Sequence, residues 1–297
     1  MTVISFLRLN EKSGMGAADE RETHGHTRVY DVAKKIHSLN DSASIGFSGS
    51  VALGNQIIES VKSSIHPEDT TKEVVKKIEE AYLSIKNDDF EKGYLNRYGV
   101  KWDEVKRPGT LDEKLKERIF KAIDSPWEAG FPQFILGIYN KENKEFNIYN
   151  IDYPGIACKS INYSCFGSGR DRAEIVIGDY IGRLEPEERE NIRPYKGAKL
   201  LMDATQTSWK NVGVGGRTQL VHITEKGCTD LGKEESNILN NVLHCEKTDK
   251  LKKEFVDDIF KNVIENGAKT KEIMKELSKQ MTKSELLRMF FIESLHL

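Results

Sequence analysis

Residues 2–19, TVISFLRLNEKSGMGAAD, hold two runs of strand-forming or small residues separated by a turn. The first run, TVISFLRL, is rich in β-branched and apolar residues, and the NEKSG that follows is typical of a turn. GMGAAD is a natural partner strand, so the stretch predicts an N-terminal β-hairpin. Thr2 stands directly after Met1, and we ask whether it is only a strand residue or has a chemical role.

The composition argues against several classes of partner and site. The chain has 297 residues and a formal net charge of −2, with 45 Lys and Arg against 47 Asp and Glu. This balance favours neither a nucleic acid nor a membrane surface as partner. The four cysteines are widely spaced and form no C-x-x-C pair, so we predict free thiols in the cytoplasm, no metal site and no cofactor. No secretory signal and no run of about 18 apolar residues is present.

Strand patterns and helix patterns follow one another in blocks. After the hairpin, strand-forming residues and turn residues predict strands over about 29–38, 42–50, 133–140, 145–152, 161–169 and, as the last strong strand, 217–227. Apolar residues at helical spacing predict helices over 51–62, 70–85 and 185–209, the last interrupted by Pro194. Blocks of this kind indicate an α+β fold rather than alternating βαβ units.

Two segments extend this pattern. The charged stretch of about 87–130 contains a Pro-Gly turn and a helical pattern at 111–123, and we interpret it as an insertion. The tail of about 248–297 predicts two amphipathic helices split at NGAKT, residues 266–270. With no repeat and no linker, residues 1–297 form a single predicted domain with an insertion and a C-terminal helical extension.

An N-terminal threonine can be a nucleophile when a base accepts its hydroxyl proton, and its own α-amino group can be that base. A nearby cation lowers the pKa of the amine and keeps more of it neutral. A carboxylate would hold that cation, and a glycine N–H would stabilise the oxyanion. The chain offers Thr2, Asp19 in GAADER, Lys35 in VAKKIH and Gly49 in IGFSGS for these roles. Neighbouring strand residues alternate, so one of Lys34 and Lys35 should point inward.

These residues lie in motifs that resemble those of the proteasome β-type and HslV-like branch of the N-terminal nucleophile hydrolases. The matching motifs are TVISF (2–6), AADER (17–21), KKI (34–36), GFSGSVALGNQII (46–58) and CFGSGRDRAE (165–174). The resemblance covers residues 2–61 well and 131–226 more loosely. It implies a four-layer αββα sandwich of two antiparallel sheets with helices outside, and a serine, Ser168, beside the nucleophile.

The sequence departs from the family at one pair of residues. Where the family has an Asp followed three residues later by a Ser, just before a Gly-Gly step, this chain has Asn211 and Val214. Asn211 can still form a hydrogen bond near the threonine amine but carries no charge, and Val214 has no hydroxyl.

The resemblance implies a threonine-type peptidase or amidohydrolase that works through an acyl-enzyme on Thr2 after removal of Met1. Its expected partners are a peptide or protein substrate, further copies of the chain in a ring or stack, and a regulatory ATPase. Two alternatives stay open at this point. The same acyl-enzyme could be passed to an amine, which would make the protein a peptide ligase, or the chain could be a non-catalytic assembly subunit.

Overall fold

The computed structural model describes residues 2–24, 28–31, 33–123, 131–210 and 214–291. Strand β1 (Ile4–Asn10) pairs antiparallel with β2 (Ser13–Asp19), and Ile4 lies opposite Ala18. The predicted N-terminal hairpin is confirmed. All seven residues of β2 are buried, which explains why this strand consists of small residues and one methionine followed by Asp19.

The remaining strands complete the sheets. They are β3 (Arg21–His24), β4 (Arg28–Asp31), β5 (Ile36–Asn40), β6 (Ala43–Ser48), β7 (Gln133–Asn140), β8 (Glu145–Asp152), β9 (Ile156–Ser160), β10 (Tyr163–Phe166), β11 (Thr218–Thr224) and β12 (Gly227–Asp230). Within the described residues, one five-stranded sheet has the order β10-β1-β2-β11-β12 and a second has the order β5-β6-β7-β8-β9. Every strand pair in them is antiparallel, and β3 and β4 form a separate two-stranded ribbon.

The helices occupy three stretches of the chain. They are α1 (Val51–Ser64), α2 (Thr71–Gly93), a 3₁₀ turn (Leu95–Tyr98), α3 (Trp102–Lys106), α4 (Glu113–Ile123), α5 (Arg170–Gly182), α6 (Pro186–Arg189), α7 (Pro194–Ser208), α8 (Lys233–Lys247), α9 (Lys253–Ile264), α10 (Thr270–Leu277) and α11 (Lys283–Phe291). The chain is therefore a mixed α+β protein with two antiparallel sheets. No helix among the described residues is long and apolar enough to cross a membrane.

Apolar side chains form three large clusters. One contains residues of both sheets, among them Ile4 and Phe6 from β1 and Ile135 and Phe146 from β7 and β8. A second joins β6 and β7 to helices α1 and α2, and a third joins β1 and β2 to helices α5, α7, α8 and α9. The two sheets therefore share a core, and each also contacts helices.

Glycines make room for the aromatic rings in the cluster between the sheets. A Cβ on Gly14 would lie 1.9 Å from the Phe146 ring, and a Cβ on Gly16 or Gly137 would lie 2.7 Å from the Phe6 ring. Real Cβ atoms never approach so closely, so these positions in β2 and β7 require glycine for packing rather than for backbone freedom.

The predicted insertion has a small core of its own. Phe90, Leu95, Val100, Val105 and Ile119 form a separate apolar cluster. Helix α2 is longer than predicted and continues past residue 87 to Gly93, so the insertion begins inside a helix. Residues 124–130, at its end, lie outside the described part of the chain.

Several element predictions were wrong. Residues 185–209 form two helices, not one interrupted helix, because Pro194 starts α7 at a position where its missing N–H costs nothing. Strand β12 follows β11, which was predicted to be the last. Helix α5 and strand β9 were not predicted at all.

The C-terminal helical region begins before the predicted residue 248, because α8 starts at Lys233 and packs Leu239 and Val242 into the core. The predicted split at residues 266–270 is confirmed, since α9 ends at Ile264 and α10 begins at Thr270. A further helix, α11, follows, so the described part of the tail holds three helices after residue 248.

Candidate functional site

A buried ion pair lies at the end of the N-terminal hairpin. Lys35 Nζ is 2.8 Å from Asp19 Oδ1, and the two side chains are 5% and 0% exposed. Lys35 Nζ also donates to the Arg21 carbonyl oxygen at 2.6 Å. Charged side chains are rarely this buried unless they are paired, so this pair is a specific feature of the fold.

Two backbone N–H groups also bind the Asp19 carboxylate. Val3 N–H donates to Oδ1 at 2.8 Å, and Gly215 N–H donates to Oδ2 at 3.1 Å. Burial raises the pKa of the Asp19 carboxyl above its ordinary value, while the Lys35 ammonium and the two N–H groups oppose that rise. The carboxylate therefore ties together the residue before β1, the lysine and the segment before β11.

The two lysines of the doublet point in opposite directions, as predicted. The Lys34 side chain is 55% exposed and lies 3.6 Å from Asp230, whereas Lys35 is buried. Gln219 fixes the backbone here, because its Oε1 accepts from the N–H of Lys35 at 3.1 Å and of Ile36 at 3.0 Å. Its Nε2 also donates to the Ile36 carbonyl at 2.7 Å. Gln219 was not singled out from the sequence, where it is one polar residue in a strand.

Thr2 is half-buried, and its backbone is held by the turn between β10 and α5. Its N–H donates to Ser168 Oγ at 3.1 Å, and its carbonyl accepts from the Gly169 N–H at 3.1 Å. Gly167 has φ +95°, and a Cβ there would lie 2.2 Å from the Thr2 carbonyl oxygen. The G-S-G turn thus fits tightly against Thr2, as the resemblance implies for Ser168.

Thr2 is also close to the ion pair through its chain neighbour. Val3 N–H and Lys35 Nζ donate to the same oxygen, Asp19 Oδ1. The Thr2 hydroxyl makes no hydrogen bond with any described residue, so it is not engaged in a structural role there. In this chain the Thr2 nitrogen is an amide, and cleavage after Met1 would convert it to an amine beside Ser168.

Gly49 lies between strand β6 and helix α1. It has φ +107°, and a Cβ would lie 3.0 Å from both the Phe131 oxygen and the Pro132 Cα, so conformation and space both require glycine. Ser50 caps α1 by accepting from the Leu53 N–H at 3.4 Å. The Gly49 N–H has no acceptor among the described residues, so it is available to a ligand.

A cavity of about 370 Å³ brings several of these residues together. Its lining among the described residues consists of Thr2, Ser48, Gly49, Tyr82, Phe131, Gln133, Asp152, Tyr153, Gly167 and Ser168. The volume is within the usual range for ligand pockets. Asp19 and Lys35 lie outside the lining. Three predicted site residues, Thr2, Gly49 and Ser168, therefore share one cavity.

Five lining residues from distant segments were not predicted as site residues: Tyr82, Phe131, Gln133, Asp152 and Tyr153. They come from α2, from the start of β7 and the residues just before it, and from the end of β8 and the residue after it, and no spacing in the sequence links them to Thr2. Ser208 was also missed. It is buried at the end of α7, and its Oγ lies 3.0 Å from the Gly169 oxygen and 2.9 Å from the Ala204 oxygen, which ties α7 to the G-S-G turn.

The predicted site residue Asn211 lies outside the described residues. Val214, the second departure from the family, is 1% exposed and packs in the apolar cluster with helices α7 and α8. Within the part of the chain that the structure describes, no three His, Cys, Asp or Glu side chains are arranged to hold a metal ion.

Comparison with known proteins adds no family assignment. No protein-family model matches the chain, and no curated protein matches it in sequence.

Proposed function

We propose that the chain is a threonine-type peptidase or amidohydrolase whose nucleophile is Thr2 after removal of Met1. The observation that carries the proposal is the buried Asp19–Lys35 pair, which shares Asp19 Oδ1 with the N–H of Val3, the residue next to Thr2. A buried ion pair is costly to maintain, and a role in lowering the pKa of the Thr2 amine gives it a chemical purpose.

In the proposed reaction the Thr2 amine, directly or through a water, accepts the proton of the Thr2 hydroxyl. A free α-amino group has a pKa near 8, so a sizeable neutral fraction exists at pH 7, and the Lys35 ammonium increases it. The hydroxyl oxygen attacks the substrate carbonyl carbon, and the carbonyl π electrons move onto oxygen. Ser168, whose Oγ is 3.1 Å from the Thr2 nitrogen, orients the amine.

The Gly49 N–H donates to the oxyanion, which is the charge that develops in the transition state. Collapse of the tetrahedral intermediate breaks the C–N bond, and the protonated amine of Thr2 gives its proton to the leaving nitrogen. This leaves an ester on Thr2, and water then attacks it with the same amine as base. The cavity shared by Thr2, Gly49 and Ser168 supports this division of roles.

The proposal extends to architecture, assembly and location. A four-layer αββα arrangement is supported by the apolar cluster between the two sheets and by the two clusters that join each sheet to helices. By its resemblance to proteasome β-type and HslV-like proteins, the enzyme would self-associate into a ring or stack and work in the cytoplasm, with regulation by an ATPase as a further expectation. Its four cysteines, all free thiols in the structure, are consistent with a reducing compartment.

The test is hydrolysis of a fluorogenic peptide amide by the protein, with Thr2→Ala and Thr2→Ser as a matched pair of variants. We expect activity in the wild type, measurable residual activity in Thr2→Ser, which keeps a hydroxyl, and none in Thr2→Ala. Activity that survives in Thr2→Ala would refute Thr2 as the nucleophile.

An added acceptor amine in the same assay separates the alternative outcomes. Free acid as the main product identifies a hydrolase, whereas a new amide in preference to the acid identifies a ligase that uses the same acyl-enzyme. A folded protein that forms neither product would contradict the proposal and favour the alternative of a non-catalytic assembly subunit.

A further inference from the structure

The cavity at Thr2 contains one side chain that carries a full charge among its described lining residues, Asp152 at the end of β8. Its carboxylate makes no hydrogen bond or ion pair with any described residue. An unpaired carboxylate in a partly enclosed cavity is available to a ligand of opposite charge, and it repels a ligand of like charge.

Three aromatic residues line the same cavity as this carboxylate. Tyr82 and Phe131 meet edge to face with ring centroids 5.0 Å apart, and both line the cavity. Tyr153, the residue after Asp152, already binds a cation, because Lys86 Nζ lies 3.4 Å from its ring centroid. Lys86 is 8% exposed and is not one of the residues that line the cavity.

We propose that Asp152 is a specificity-determining residue of this site and that the site accepts a Lys or Arg side chain on the acyl side of the scissile bond. The inference deepens the proposed function and rests on it. The carbonyl attacked by Thr2 and held by Gly49 belongs to the acyl-side residue, whose side chain therefore enters the cavity that Thr2 and Gly49 line. A long aliphatic stem packs beside Phe131, whose ring rests on the fully buried Tyr82 ring, and its cationic end reaches the carboxylate.

The experiment compares peptide amides that differ only in the acyl-side residue. Lysine against norleucine and arginine against citrulline are matched pairs, because each pair has a similar length and differs in charge. We measure kcat/KM for the wild type, Asp152→Asn, Asp152→Glu and a control, Asp258→Asn, which makes the same charge change at an exposed residue of α9.

We expect the wild type to prefer lysine over norleucine by about tenfold or more, since tenfold corresponds to one charge-assisted contact. Asp152→Asn should lose most of this preference with little change for norleucine, and Asp152→Glu and Asp258→Asn should keep it. The preference in the wild type should also shrink with added salt, which tests the charge without any substitution.

The outcomes distinguish this inference from the proposed function. Hydrolysis by Thr2 with no preference for a cation, or with a preference that Asp152→Asn leaves intact, would overturn the role of Asp152 and leave the proposed function standing. Absence of any Thr2-dependent reaction with all of the peptides would overturn both.

Discussion

Replacement of Lys35 by methionine removes the ammonium group but keeps an unbranched side chain of similar length. Asp19 is 0% exposed and would lose the donor that now lies 2.8 Å from its Oδ1. Breaking a buried pair by removing one partner typically costs about 3–5 kcal/mol. Asp19 keeps its hydrogen bonds from the N–H groups of Val3 and Gly215. We therefore expect the free energy of unfolding to fall by about 3 kcal/mol at pH 7, the lower end of that range.

The loss should depend on pH with a defined sign. Burial raises the pKa of Asp19 and Lys35 lowers it, so the variant raises that pKa further. A carboxyl whose folded pKa lies above its unfolded value of about 3.9 binds more protons in the folded state between those two values. The free energy of unfolding therefore falls as the pH rises through that window. The variant should lie closer to the wild type at pH 4 than at pH 7.

Urea unfolding followed by far-UV circular dichroism measures both effects. The matched control is Lys34→Met, because Lys34 is mainly exposed and its ion pair with Asp230 at 3.6 Å should contribute less than about 1 kcal/mol. A Lys35→Met variant within about 0.5 kcal/mol of the wild type at pH 7 would refute the reasoning. A larger loss at pH 4 than at pH 7 would refute it as well.

Three further predictions concern activity, packing and pH. Gly49→Ala should lower kcat by about a hundredfold. At φ +107° the added Cβ would be strained and would lie 3.0 Å from backbone atoms, which should displace the N–H proposed to bind the oxyanion. The control Gly99→Ala, at φ +65° with open space around its Cβ, should leave kcat unchanged. Gly14→Ala should cost about 3 kcal/mol in urea unfolding, because its Cβ would lie 1.9 Å from Phe146, and Gly93→Ala, with open space, should cost far less. Burial lowers the pKa of His37 to about 4, so the folded state binds fewer protons than the unfolded state between that value and pH 6.5. Stability should fall by about 1–2 kcal/mol as the pH drops through this window, and thermal unfolding of His37→Gln should show a smaller fall.

The sequence predicted the elements whose patterns are local. The hairpin over 2–19 and helix α1 follow from alternation, turn residues and helical spacing. Strand β9 was missed because IACKS shows no regular alternation, and all five of its residues are exposed or half-buried. Helix α5 carries a signal that could have been used, since Ala173, Ile177 and Ile181 are buried at intervals of four.

Part of the candidate site could be predicted because several of its residues also lie in local sequence motifs. Thr2, Asp19, Lys35 and Gly49 lie in short motifs near the start of the chain, and the doublet predicts that one of Lys34 and Lys35 points inward. The remaining wall of the cavity comes from segments about 80 to 150 residues away in sequence, at Tyr82, Phe131 and Asp152. The pairing of β7 with β6 and β8 places Phe131 and Asp152, and the packing of α2 on this sheet places Tyr82; no local pattern encodes these contacts.

The central claim is that Thr2 carries a free amine and acts as the nucleophile. The most direct test is the intact mass of the untagged protein made in cells, before and after incubation with a peptide epoxyketone, which reacts with the amine and the hydroxyl of an N-terminal threonine. We expect a mass without Met1 and a single adduct on Thr2 that is missing in Thr2→Ala. A protein that retains Met1 and forms no adduct would contradict it.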